Sequence, residues 1–244
     1  MKKNYFSAHR NKLINFAVFF LFIFIVSLFF HNEISGMFSY VKGNGGAENI
    51  YINFYDSLSQ HVIFHKEYFR LLDTGEALNW DWNIFLGSNF FVTKAYYLSG
   101  DIFTYFEYFV YKLFNSVEFA IFMIMLLKVA ISGFGFYLIL RKCKLNLFIS
   151  ILFGMLYAFS GWQCTYAEQI MFTSFYCILP YFILSFEYIL QDDKYLGLII
   201  STIIMVGINF YLFWPACILA LIYWIVRYNL IRGKLFDKIG RAHV

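Results

Sequence analysis

The chain has 244 residues, of which 61% are hydrophobic, 24% aromatic and 14% charged, and its mean hydropathy is +0.64. A soluble domain holds about 45–50% apolar and about 25% charged residues. This surplus of apolar surface excludes a water-soluble enzyme, a disordered chain and a nucleic-acid binder. The formal net charge of +4 conceals a strong segregation of charge along the chain. Four scattered cysteines (Cys143, Cys164, Cys177 and Cys217) form no CxxC pair, so neither a disulfide framework nor a zinc site is expected.

Residues 1–12 carry Lys2, Lys3, Arg10 and Lys12 and no acidic residue, and an apolar run over 13–30 follows. The run is too long for the apolar part of a signal peptide. His31-Asn32-Glu33 stands where a small-residue cleavage site would be. At 1.5 Å per residue the run spans a hydrocarbon layer of about 30 Å. It is expected to be a retained first transmembrane helix with a cytoplasmic N-terminus. Residues 33–112 hold nine of the 15 acidic residues but only five Lys/Arg. Basic residues mark the cytoplasmic side, so the segment 31–117 is expected to be extracytoplasmic.

Within that segment, 53–72 reads as a helix with apolar positions at Phe54, Leu58, Val62, Phe69 and Leu72, ended by Gly75. Residues 79–98 are aromatic and punctuated by glycine, and 102–114 reads as a second aromatic helix lying in the membrane interface. Spans are expected over 119–140, 145–162 and 171–190. The basic turn Arg141, Lys142 and Lys144 separates the first two, and 191–194 makes the next turn. Residues 195–226 are apolar for too long to form one ordinary span. Asn209 and Pro215 split them into two short helices, giving about six spans with both ends cytoplasmic, against five if one helix is long and tilted. The fold class is therefore an all-α polytopic membrane protein with a large first extracytoplasmic loop containing amphipathic helices. Residues 1–238 form a single transmembrane domain. Residues 239–244 read as the translation of a sequencing-adapter stretch and are set aside. On that reading the natural chain runs on past Lys238.

An ordered set of motifs runs through the sequence: Asp56-x-x-x-Gln60, Gly75, Trp80 or Trp82, Gly87-x-Asn89 and Tyr96-Tyr97-x-Ser99. Leu126-Leu127-Lys128, then Tyr157-Ala158-Phe159-Ser160-Gly161 and Asn209-Phe210-Tyr211, follow. In this order they resemble the YfhO-type bacterial membrane proteins, which are similar to the GT-C class of glycosyltransferases. One departure is Ser99-Gly100-Asp101, where the family usually reads Ser-Pro.

The resemblance implies a GT-C-like fold in the bacterial cytoplasmic (plasma) membrane. It also implies transfer of a sugar from a polyprenyl-phosphate donor to a cell-surface polymer or glycolipid on the outer face. The acceptor hydroxyl must lose its proton as it attacks, which asks for a carboxylate base within hydrogen-bond reach. Asp56 fits that place, with a helix-start carboxylate as the plain alternative. Gln60 lies one turn later on the same face. Lys128 or Arg70 is the expected partner of the leaving phosphate. Trp80, Asp81, Trp82, Asn89, Tyr96 and Tyr97 are the other candidate substrate-binding residues, with interfacial anchoring the plain reading of the tryptophans. Lys128, mid-span, costs about 3 kcal/mol to insert. It must face protein or water rather than lipid, either in contact with the lipid phosphate or a carboxylate such as Glu168, or in an internal ion pair that only holds helices together. His61 and His65 are one turn apart without a third ligand and read as surface histidines. Glu187 reads as a snorkelling side chain. No cofactor or metal is demanded, since no DxD pair occurs in the loop. The expected partners are the lipid bilayer, the polyprenyl-linked sugar and the glycopolymer acceptor, with no nucleic acid. The competing reading is a non-enzymatic transporter, flippase or scaffold for lipid-linked envelope precursors, for which Lys128 and the breaks at Asn209 and Pro215 speak.

Overall fold

The computed structural model describes residues 2–44, 60–76, 80–83, 86–94, 98–166 and 169–232. Among these the chain is helical, with one isolated backbone bridge between Asp81 and Ser88. Five stretches are long and apolar enough to cross a membrane: Arg10–Phe29, Val117–Lys142, Leu147–Thr165, Ile170–Asp192 and Phe210–Ile231.

Helix α1 (Lys2–Phe29) contains the apolar run that begins at Leu13. It turns Val18, Phe22 and Val26 inward and leaves Phe16, Phe20, Phe24 and Leu28 exposed. That four-residue spacing is one helical stripe against protein and the rest against lipid. After a break at Phe30, α2 (His31–Val41) packs Phe38 edge-on against Phe119, their centroids 4.9 Å apart. The loop segment continues with α3 (Val62–Thr74), the five-residue α4 (Phe90–Lys94) and α5 (Ile102–Phe114). Gly75 ends α3 in the left-handed conformation, as its place in the sequence suggests.

Helix α6 (Val117–Lys142) is the axis of the bundle. Ser116 caps it by accepting the Phe119 N–H, Glu118 stands in its first turn, and Arg141 and Lys142 stand in its last. Each charge complements the helix dipole. Most of α6 is buried, by α1, α5, α7 (Leu147–Ala158) and α9 (Ile170–Asp192). Between the last two lies α8 (Gly161–Thr165), capped by Ser160. The α6–α7 crossing is made close by Gly133 and Gly154, with the Phe22 ring seated against both.

The 195–226 region is divided at Asn209, as the sequence suggests, but unevenly. Helix α10 (Leu196–Ile208) has 13 residues, about 20 Å at the helical rise, and falls short of the hydrocarbon thickness. Helix α11 (Phe210–Arg232) is full length. Pro215 lies within its second turn and does not end it, so Asn209 alone makes the break. Its backbone is extended and its Oδ1 accepts the Leu212 N–H, an N-cap. Among the described residues the bundle thus has five stretches long and apolar enough to span and one short apolar helix, rather than six equal spans.

Two ends can be distinguished. The basic end carries Arg141, Lys142, Lys144, Lys194 and Arg227, while the loop end carries α3 to α5. Helix α3 lies across the loop end. Lys66 binds Glu118 at the start of α6 (2.6 Å), and Asp73 accepts from Lys112 (2.7 Å) and from the Tyr108 hydroxyl on α5. The Lys112 hydrogen bond, then the Tyr108 one, hold the Asp73 carboxyl below its ordinary value. A depressed carboxylate stabilises above its unfolded pKa, about 4, and that contribution is lost as pH falls through the folded value. The stability gap between the parent and Asp73→Asn is therefore expected to be open at pH 6 and to close towards pH 3. Melting curves across that range check it, and a gap constant down to pH 3 would contradict it.

Candidate functional site

The polar groups that cannot reach water gather where α3, α5, α6 and α9 meet. Glu107 of α5 and Lys128 of α6 are both buried and form an ion pair at 3.1 Å. The second carboxylate oxygen of Glu107 meets Nε2 of His65 from α3 at 2.8 Å, and Nδ1 of His65 lies 2.6 Å from the His61 carbonyl. A carbonyl only accepts, so Nδ1 carries a hydrogen. His65 and Glu107 therefore share one further proton, either as imidazolium with carboxylate or as imidazole with carboxylic acid.

A second buried carboxyl, that of Asp101, stands within the field of Lys128. It is the N-cap of α5, with Oδ1 accepting the Phe103 N–H at 2.9 Å. It is buried, Lys128 acts on its charge, and Ser174 of α9 lies beside it. Burial pushes the Asp101 carboxyl up, against the pull of Lys128. For Glu107 burial acts in the same sense, but the Lys128 charge and the His65 hydrogen bond outweigh it and hold the carboxyl below the usual range. Oδ2 of Asp101, and nearby along α5 the Thr104 hydroxyl, have no hydrogen-bond partner among the described residues. Buried polar atoms of this kind are scarce in folded proteins, so the cluster has acceptors to spare.

An apolar groove of about 610 Å³ approaches the cluster along the membrane-spanning helices. It is lined by Phe19, Phe103, Phe134, Tyr181, Leu184 and Ile204 among others, and extends from Ile102 towards Tyr188 near the basic end. Phe103 joins the two features, since its ring lines the groove and lies 5.1 Å from the Lys128 ammonium.

A family model described as bacterial membrane protein YfhO matches residues 34–242. The chain belongs to the YfhO family. No curated protein and no solved structure matches it. The match takes in the buried cluster and the groove apart from Phe19.

The other candidate residues of this YfhO protein fall into separate places. Asp56, Tyr96, Tyr97 and Glu168 lie outside the described residues. Gln60 begins the turn that leads into α3. Arg70 is held by Glu67 (2.6 Å) and Glu76 (2.7 Å) on the exposed side of α3. Asn89 accepts the Val92 N–H at the start of α4. Trp80 and Trp82 are exposed, while Asp81 between them is buried and accepts the Asn83 N–H.

Two expectations are corrected. His61 and His65 are buried rather than at the surface, because α3 lies with that face down on α5 and α6. Lys128 forms the internal ion pair that was one of its two readings, with Glu107, 21 residues earlier, as the partner. Glu187 does not snorkel. It is fully buried at the basic end of α9 and takes Arg227 (2.6 and 2.8 Å), Tyr223 and Gln191. Glu107 and Asp101 carried a weak signal in the sequence: each is a single acidic residue in an otherwise apolar stretch.

Proposed function

We propose that this YfhO protein is a GT-C-type glycosyltransferase that moves a sugar from a polyprenyl phosphate to a glycopolymer or glycolipid at the outer face of the plasma membrane. The observation that carries the reading is an apolar groove with a buried cluster of ionisable groups behind its Phe103 wall. An isoprenoid tail needs a long apolar channel open to lipid, and its phosphate and sugar need polar groups where that channel ends. Asp56 is the general base, Gln60 orients it or the sugar, and Lys128 supplies positive charge near the departing phosphate, with Glu107 taking one of its three N–H donors. The test is sugar transfer by the full-length protein in membranes. Asp56→Asn is expected to abolish transfer at normal expression, and retained transfer would remove Asp56 as the base.

A second reading draws support from the same cluster. Buried Asp101, Glu107, His65 and Lys128 in a membrane protein are the groups from which proton-coupled transport is built. The two readings separate in detergent, where no compartments exist. A transferase still forms product there, whereas a transporter shows activity only across a sealed bilayer.

A further inference from the structure

Between α3 and α4 the backbones of Asp81 and Ser88 exchange hydrogen bonds of 2.8 and 3.0 Å. In this extended pairing alternate side chains point to opposite faces, so Asp81 goes inward and Trp80 and Trp82 share the outer face. Their rings meet edge to face at 5.6 Å. Gly87, at φ 109°, lies under them, and a Cβ there would stand 2.9 Å from carbon atoms of both indoles. The rings therefore rest directly on the backbone. Asn83 ties the knuckle to α3 by donating to Glu67 at 3.0 Å. Despite this bracing, Trp80 is 51% and Trp82 74% exposed. Large aromatic rings fixed in position and left open are costly unless something covers them.

We propose that Trp80 and Trp82 form a stacking platform for the acceptor glycan, which names the acceptor side of the transferase reading and rests on it. The C–H face of a pyranose ring is apolar and flat enough to lie on an indole, while its hydroxyls need donors and acceptors around the ring. Glu67, Arg70, Glu76 and Asn83 supply such groups beside the knuckle. Two carboxylates (Glu67 and Glu76) against one guanidinium make the patch acidic, which an anionic lipid surface repels and a neutral sugar does not. The stripe suited to lipid lies elsewhere, on α5, where Ile102, Phe106, Phe109 and Leu113 are exposed in helical register.

The experiment uses the full chain in phosphatidylcholine nanodiscs, titrated calorimetrically with N-acetylglucosamine hexamer, cellohexaose and mannohexaose. Saturable binding of at least one is expected, weakened tenfold or more by Trp82→Ala and partly retained by Trp82→Tyr, with unchanged melting in both variants. In a protein whose Trp162, Trp214 and Trp224 are replaced by Phe, brominated phosphatidylcholine is expected to leave the remaining emission unquenched. Absence of binding to all three sugars, or strong quenching by the brominated lipid, would overturn the platform. Binding is read without turnover, so it is scored independently of sugar transfer. A parent that binds glycan but transfers no sugar would remove the transferase reading and leave the platform standing.

Discussion

Glu107→Ala is expected to lower the melting temperature of the protein in detergent by on the order of 10 °C. The carboxylate is fully buried and is the partner of both His65 and Lys128. Its removal leaves an ammonium in the bundle with no counter-charge in contact, a change that costs about 3–5 kcal/mol. At about 2–4 °C per kcal/mol for a chain of this size, that gives the stated shift. Glu107→Gln keeps the volume and one acceptor, so its loss should be smaller. Replacing the whole group by apolar residues, as His65→Leu, Glu107→Leu and Lys128→Met together, should recover most of the stability, because a buried charge set is seldom better than a packed apolar one. If that triple variant melts like the parent but has lost sugar transfer, the cluster serves chemistry rather than cohesion. A Glu107→Ala protein that melts like the parent would show that this carboxylate does not hold α3 and α5 to α6.

The spans were legible in the sequence because a membrane imposes one length and one polarity on every crossing segment. Ser116 and Asn146 cap helices close to the expected span starts, whereas the cap at Ser160 divides the span expected over 145–162. The break at Asn209 was visible too, but its unevenness was not. Pro215 reads as a stop in the sequence, yet α11 runs on past it and forgoes one N–H hydrogen bond there. The site was much less legible. Lys128 announced itself because a charge in mid-span demands a partner, yet nothing local tells which one. Glu107 is distant in sequence and sits on a helix whose exposed face reads as interfacial. What that pattern hides is the second face of α5, where Phe103, Thr104 and Glu107 turn inward. His65 was obscured for the same reason: burial of a polar side chain is decided by what lies over it, and α3 lies on partners far away in the chain.

Gly133 and Gly154 are the positions where the smallest addition should do most damage to the bundle. A Cβ on Gly133 would come within 2.5 Å of the Phe22 ring and 2.8 Å of the Gly154 carbonyl oxygen. On Gly154 it would meet the same ring at 2.7 Å and the Gly133 carbonyl oxygen at 2.8 Å. The ring can move, but the two carbonyls belong to helix backbones, so relief requires α6 and α7 to separate. Helices in lipid gain their association from close packing rather than from hydrophobic exclusion, and that separation removes the gain along the whole crossing. Gly154→Leu and Gly133→Leu are each expected to cost about 3 kcal/mol, the upper range of overpacking, read as loss of folded protein in detergent. Phe22→Ala should rescue Gly133→Leu only in part, since the Gly154 carbonyl remains in the way. Gly161→Ala is the control, because nothing stands within 4 Å of a Cβ there, and it should melt like the parent. Full rescue by Phe22→Ala would show that the ring, and not the backbone approach of α6 to α7, sets the limit at this crossing.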